Sequence, residues 1–227
     1  MIRRFADLEA MSRAASDHIA ERIRGAGRFS IALSGGHTPS RLYELLGQRQ
    51  DIDWSRVHLL FGDDRYVPPD DPRSNEGMVR EKLVSRIEIP AANFLPMYSA
   101  AGWQESADRY DGLLREFFAG RPYTFDLALQ GMGDDGHTAS IFPGTPSPPP
   151  GRWVVATSGT KEAPERVSVT LDCLAASKEV LFLVAGESKA ERLREIMDGA
   201  DYPAGELVRK AAYVEWWVDE AAGRLIT

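Results

Sequence analysis

The chain is poor in cysteine, with Cys173 as the only one among 227 residues. A single cysteine cannot form an intramolecular disulfide, which excludes a disulfide-stapled scaffold and a cysteine-rich metal site. The sequence also lacks an apolar run of about 18 residues, the length that a membrane-spanning helix needs. We therefore expect a protein of a reducing compartment, cytoplasmic by default, with no membrane partner.

Basic residues are fewer than acidic ones. The 27 Lys and Arg against 34 Asp and Glu give a formal net charge of −7. Non-specific nucleic-acid binding requires a basic surface, so we expect no nucleic-acid partner. A local cationic pocket for a small anion remains compatible with this balance. The 43% hydrophobic and 27% charged residues are ordinary globular values and argue against disorder.

Two common catalytic signatures are missing. No Gly-x-Ser-x-Gly motif occurs, so the usual nucleophile elbow of serine hydrolases is absent. The four histidines show no ligand spacing such as His-Glu-x-x-His, so we expect no metal site.

Short apolar runs alternate with helical patterns along the chain. This order predicts an α/β fold with a mostly parallel sheet covered by helices. No linker is visible, so we expect one domain over residues 1–227. Strands are predicted at 29–33, 57–61, 125–130, 153–157, 166–171, 180–185 and 212–217, and helices at 1–23, 38–46, 74–84, 104–118 and 187–197.

Ligands of open α/β sheets bind at the carboxyl ends of the strands, and the first candidate loop there follows the strand at 29–33. It contains Gly35, Gly36 and His37, and Thr38 is placed to cap the next helix. Glycines let the backbone approach a ligand, and a helix N-terminus attracts phosphate. A tight strand-to-helix turn without a ligand is the alternative.

Three cations are candidates for anion binding. Arg65, in the loop after the second strand, offers a bidentate phosphate contact, although a solvated turn is the alternative. Arg166 starts a later strand. Lys189 starts a helix, where a cation opposes the helix dipole unless an anion shares the site. The alternative for Lys189 is a surface ion pair with Glu187 or Glu191.

The loop at 131–138 contains Gly-x-Gly-x-x-Gly, with Gly133 at its second glycine. A dinucleotide site is rejected because Asp134 and Asp135 would repel a pyrophosphate and no acidic residue follows about 20 positions later. What remains is a loop that presents Asp135 and His137. Histidine suits proton transfer near neutral pH, and a carboxylate can orient it. A histidine that merely caps a helix is the alternative.

In these motifs the chain resembles the 6-phosphogluconolactonase family. The matching segments include LSGGHTPSRLYELL (33–46), FGDDRYVPPDDPRSN (61–75) and LALQGMGDDGHTASIFPGT (127–145). The resemblance implies hydrolysis of 6-phospho-D-glucono-1,5-lactone to 6-phosphogluconate, without a metal or an organic cofactor. It implies a Rossmann-like three-layer α/β sandwich, shared with glucosamine-6-phosphate deaminase, ribose-5-phosphate isomerase and CoA transferases. The expected partner is a small phosphosugar lactone, bound by a monomer or homodimer.

The resemblance also implies residue roles. His137 matches the catalytic base that activates water, and Asp135 is its acidic neighbour. His37 departs from the family, which more often has Ser at this position. Substrate or phosphate binding is implied for Gly35, Gly36, His37, Thr38, Arg65, Gly133, Arg166 and Lys189.

Two other functions remain as alternatives. Glucosamine-6-phosphate deaminase has similar glycine loops, but its third motif continues with a catalytic glutamate. The corresponding stretch here, residues 140–143, is Ser-Ile-Phe-Pro and contains no acid. A non-catalytic sugar-phosphate sensor would bind the ligand without turnover, yet no DNA-binding motif or other output region is visible.

Overall fold

The structure is a computed structural model that describes residues 1–160 and 163–226. The strands are β1 (Ile2–Phe5), β2 (Phe29–Leu33), β3 (Val57–Phe61), β4 (Asp63–Arg65), β5 (Leu127–Gln130), β6 (Val154–Thr160), β7 (Ala163–Val169), β8 (Val180–Val184) and β9 (Val214–Asp219). The α-helices are α1 (Leu8–Arg24), α2 (His37–Leu46), α3 (Asn75–Lys82), α4 (Trp103–Phe117), α5 (Leu171–Ala175), α6 (Ala190–Met197), α7 (Pro203–Lys210) and α8 (Glu220–Gly223).

The central sheet has the strand order β1-β9-β8-β5-β2-β3, and its pairings are parallel. Helices flank it, as the predicted three-layer α/β class requires. Strands β2, β5 and β8 are buried along their whole length, which explains their continuous apolar sequence. Trp216 on β9 stacks on Phe182 of β8 at 4.0 Å between ring centroids. In the part of the chain that is described, no helix is long and apolar enough to span a membrane.

The predicted N-terminal helix over 1–23 is wrong in its first turn. Residues 2–5 form β1, which pairs with β9 at the edge of the sheet. Helix α1 begins at Leu8, where Asp7 caps it by accepting the backbone N–H of Ala10 at 2.7 Å. Strand β1 is largely exposed, and Arg3 reaches the buried Glu215 with 3.0 Å between Nε and Oε2. An edge strand with two arginines does not show the apolar run that marks a buried strand.

A second sheet, of order β4-β7-β6, is antiparallel. It contains the strands predicted at 153–157 and 166–171. It also contains β4, whose sequence Asp-Asp-Arg was expected to be a loop. This short sheet carries Arg65 and Arg166 toward the carboxyl ends of the central strands.

Candidate active site

A cavity of about 350 Å³ lies where β2, β5 and β8 end. This is the edge of the sheet at which the sequence predicted a site. The structure brings most of the predicted residues together there. The cavity is lined by Gly35, Gly36, His37, Thr38, Arg65, Gly133, His137, Arg166 and Lys189. Asp135 is not part of the lining and lies behind His137.

His137 and Asp135 form a hydrogen-bonded pair, with 2.6 Å between Nδ1 and Oδ1. The backbone N–H of His137 also donates to Oδ1 of Asp135 at 3.1 Å. Burial raises the pKa of Asp135, but these contacts and the nearby imidazole outweigh it and hold the pKa below its usual value. An ionised carboxylate only accepts, so Nδ1 is the protonated nitrogen. The lone pair of Nε2 is therefore available as a proton acceptor.

Glycine and an aromatic ring determine the position of the imidazole. A Cβ on Gly133 would lie 2.1 Å from Nδ1 of His137, so only glycine permits this approach. The N–H of Gly133 donates to the carbonyl of His137 at 2.9 Å and closes the loop. On its other side the imidazole packs against Phe142, with 4.4 Å between ring centroids.

The start of α2 forms another wall of the cavity. Gly36 is the N-cap, at φ 101°, and α2 begins at His37 without a side-chain cap. The prediction that Thr38 caps this helix is wrong, because Thr38 lies within its first turn. The uncapped N–H groups and the positive end of the helix dipole favour an anion. Gly35 is required for packing, since a Cβ there would lie 1.9 Å from Oδ1 of Asn75.

The cations converge from three elements. Arg65 on β4 is directly opposite Arg166 on β7. Nη1 of Arg65 donates to the carbonyl of Arg73 at 2.6 Å, and the guanidinium carbon of Arg166 lies 5.5 Å from the ring centroid of Phe142. These contacts direct positive charge into a cavity that also receives the start of α2.

Lys189 lies in the 3-10 turn Glu187–Lys189 that precedes α6. Its ion-pair partner is Asp134, at 2.7 Å between Nζ and Oδ1, and not Glu187 or Glu191 as the surface alternative expected. The hydrogen bond from Lys189 lowers the pKa of Asp134, so this carboxylate is ionised.

Three polar residues of the cavity, Ser34, Asp63 and Asn75, were not predicted as site residues. Asp63 is buried and accepts a hydrogen bond from Ser140, with 2.5 Å between Oδ2 and Oγ. Nδ2 of Asn75 donates to the carbonyl of Asp63 at 3.0 Å. Asp63 was indicated in the sequence by the two consecutive aspartates after β3, and Asn75 by its place next to Ser74, which caps α3.

Asp64, next to Asp63, points away from the cavity. It accepts the N–H groups of Asn75 and Glu76, while burial raises its pKa to about 7. Across residues 1–160 and 163–226, no group of three or more His, Cys, Asp or Glu side chains is arranged to hold a metal ion.

The chain is similar to known proteins over most of its length. The family described as glucosamine-6-phosphate isomerases/6-phosphogluconolactonase matches residues 6–216. A 6-phosphogluconolactonase of Synechocystis sp. is 41% identical over 213 residues, covering 90% of this chain and 88% of the relative. The crystal structure of 6-phosphogluconolactonase from Thermotoga maritima superposes with a TM-score of 0.86 at 31% identity, covering 96% of this chain and 99% of that one.

A monomeric glucosamine-6-phosphate deaminase also superposes, with a TM-score of 0.87 over 99% of each chain. At 20% identity, this match shows the shared fold alone. Together with the structure from Thermotoga maritima, it confirms the predicted three-layer α/β class.

Proposed function

The chain belongs to the glucosamine-6-phosphate isomerase/6-phosphogluconolactonase family, and from this premise we propose that it hydrolyses 6-phospho-D-glucono-1,5-lactone to 6-phosphogluconate. The observation that carries the proposal is the His137–Asp135 pair at the wall of a cavity that also holds Arg65 and Arg166. A proton acceptor and an anion-binding end in one cavity suit a phosphorylated ester. The volume of about 350 Å³ is in the range of small-molecule sites.

The reaction needs a base and no covalent nucleophile, because a lactone is already an activated ester. In the proposed mechanism, Nε2 of His137 takes a proton from water as the water oxygen attacks C1. The carbonyl oxygen then carries the negative charge of a tetrahedral intermediate. When the intermediate collapses, the C1–O5 bond breaks and the imidazolium returns its proton to the ring oxygen. The ionised Asp135 stabilises the imidazolium between these two steps.

The phosphate would be bound by the start of α2 together with the three cations that line the cavity. The N–H groups at the start of α2 offer hydrogen bonds to a dianion, and Gly35 and Gly36 allow it to approach the backbone closely. Arg65, Arg166 and Lys189 supply the compensating charge.

The site disfavours the deaminase alternative. That reaction requires a catalytic carboxylate in the third motif, whereas Phe142 presents an apolar ring to His137. Ser140, two residues earlier, is buried against Asp63 and is not an acid. No observation favours a sensor over an enzyme, because a sensor has no use for the oriented imidazole.

We also propose a domain organisation, a compartment and an oligomeric state. The family match over residues 6–216 supports one domain over 1–227. The single cysteine, Cys173, is free and buried, which supports a reducing compartment such as the cytoplasm. The phosphosugar lactone is the proposed partner of a monomer or homodimer.

The test follows lactone loss against its spontaneous hydrolysis, with the lactone generated in situ. We expect wild type to accelerate the loss and His137→Ala to lower kcat by about 10²- to 10⁴-fold. His58→Gln is a matched control, since His58 lies on β3 against Phe117, at 5.1 Å between ring centroids, and does not line the cavity. The proposal is wrong if folded wild type gives no acceleration. The role of His137 is wrong if the alanine variant retains the wild-type kcat.

A further inference from the structure

The carboxylate of Asp134 connects the loop that carries His137 to the turn before α6. Oδ1 of Asp134 lies 2.7 Å from Nζ of Lys189 and accepts the hydroxyl of Ser188 at 3.0 Å. Nε of Arg192 donates to the backbone carbonyl of Asp134 at 3.0 Å. We propose that Asp134 is a positioning residue. It holds the Lys189 ammonium in the cavity, where the ammonium binds the substrate phosphate. The inference rests on the proposed function.

Lys189 needs such a partner because of its place in the fold. It directly precedes α6, where the positive end of the helix dipole disfavours a cation. Its side chain has four rotatable bonds and, unrestrained, would turn toward solvent. The side chain is nevertheless only 23% exposed and lines the cavity. The contact with Asp134 therefore orders the ammonium before any ligand arrives.

Asp134 has two opposing effects on phosphate affinity. Its negative charge repels a dianion, and its hydrogen bond keeps Lys189 ordered. The Asp134 side chain is 66% exposed, so water screens the repulsion. The ordering of Lys189 is not screened in this way. Ordering therefore dominates, and loss of the carboxylate weakens phosphate binding.

The contacts also separate Asp134 from its neighbour Asp135. Asp135 bonds to the imidazole of His137, whereas the side-chain contacts of Asp134 are with Ser188 and Lys189. Removing the Asp134 carboxylate should therefore change KM and leave kcat unchanged. A residue that only stabilised the loop would change kcat as His137 became mobile.

The experiment compares Asp134→Ala and Asp134→Asn with wild type. We expect the alanine variant to raise KM roughly 3- to 10-fold with kcat unchanged, and the asparagine variant to raise it less because its amide oxygen still accepts from Ser188. Glu187→Gln is the matched control. It removes the same charge in the adjacent turn, but its carboxylate pairs with Arg224 at 3.3 Å between Oε1 and Nη2. The control should leave KM and kcat unchanged.

A double-mutant cycle with Lys189→Met tests whether Asp134 acts through Lys189. If it does, adding Asp134→Ala to Lys189→Met raises KM no further. The inference is overturned if the two effects multiply, if Asp134→Ala lowers KM or leaves it unchanged, or if kcat falls instead.

The Kd of inorganic phosphate, measured by calorimetry for the same variants, should rise in parallel with KM. This arm does not depend on turnover. A chain without lactonase activity whose phosphate affinity still depends on Asp134 through Lys189 would refute the proposed reaction and leave the positioning role intact. Unchanged phosphate affinity in an active enzyme would refute the positioning role alone.

Discussion

Arg65 and Arg166 are directly opposite each other on the antiparallel strands β4 and β7, and both line the cavity. Directly opposite side chains have Cβ atoms about 4.5–5.5 Å apart, a distance at which like charges repel each other. Arg166 is also buried, with 6% of its surface exposed. A dianion bound in this cavity can interact with both guanidinium groups. This arrangement supports the proposal that the negative end of the substrate binds here.

We predict that Arg65→Gln weakens binding of the phosphorylated lactone and not the reaction itself. A hydrogen bond to a charged group contributes about 1.5–3 kcal/mol, so KM should rise about 10- to 100-fold with a smaller change in kcat. Turnover of unphosphorylated gluconolactone should be nearly unaffected. Kinetics with both lactones provide the measurement.

Arg194→Gln is the control for this prediction, because Arg194 of α6 forms an ion pair with Asp198, just beyond the helix, at 3.1 Å between Nη1 and Oδ2. Inorganic phosphate should raise the Tm of wild type and of this control more than that of Arg65→Gln, since ligands stabilise the state that they bind. An equal loss with both lactones would contradict an electrostatic role of Arg65 toward the phosphate.

Asp135→Asn should reduce kcat by roughly 10²- to 10⁴-fold with little change in KM. An asparagine amide can donate to Nδ1 of His137, which would place the ring proton on Nε2 and remove the base. The low pKa of Asp135 also has a consequence for stability. Its stabilisation is present above the usual carboxyl pKa and is lost as pH falls through the folded-state pKa.

Two measurements check this prediction. The first is kcat at pH 7, where an unchanged value for Asp135→Asn would contradict the orienting role of the carboxylate. The second is urea unfolding at neutral and acid pH. Wild type should be the more stable protein at neutral pH, and the difference should disappear in acid.

The sequence predicted well those strands and helices whose apolar pattern lies within the element itself. The apolar runs of β2 and β8 are buried on both faces and could be identified without tertiary information. In α1, Ala15, Ile19 and Ile23 recur at helical spacing and are buried. Strand β4 was not predictable in this way, because its two aspartates are buried by hydrogen bonds with other segments of the chain. Helix α7 was not predicted, although Pro203 marks its start.

The same distinction applies to the candidate site. The glycine loops and His137 follow from local sequence, since each has a recognisable turn or a titratable group. The pairing of Lys189 with Asp134 joins residues 55 positions apart and depends on how α6 packs beside the loop. Asp63 likewise meets Ser140 only through the second sheet. The sequence neighbours of these four residues do not indicate either contact.

The ion pair between Glu9 of α1 and Arg41 of α2 should be lost in acid. Arg41 binds this carboxylate in a bidentate manner, with 2.6 Å between Nε and Oε2 and 3.0 Å between Nη2 and Oε1. The hydrogen bond from Arg41 lowers the pKa of Glu9 to about 2. The resulting stabilisation is complete above the usual glutamate pKa and is lost as pH falls toward 2.

Glu9→Gln should therefore lower the urea midpoint at pH 7 and have little effect near pH 2. Glu81→Gln is the control, because Glu81 is highly exposed and contacts Lys82 at 3.2 Å between Oε1 and Nζ. A pH-independent difference between wild type and Glu9→Gln would show that packing, and not charge, is the source of the effect.

Gly133→Ala should inactivate the enzyme without unfolding it. The added Cβ would lie 2.1 Å from Nδ1 of His137 and 2.7 Å from Oδ1 of Asp135, so the imidazole must rotate away from its partner. The side chain can move more easily than the backbone, and the fold should persist. We expect kcat to fall by about 10²-fold or more, as in loss of the base itself.

Gly112→Ala provides the matched control, since a Cβ at this position in α4 meets no atom within 4 Å. This variant should retain full activity and gain stability, because alanine is the better helix former. Thermal unfolding of both variants separates inactivation from loss of fold. A fully active Gly133→Ala protein would mean that catalysis does not depend on the contact between Nδ1 of His137 and Oδ1 of Asp135.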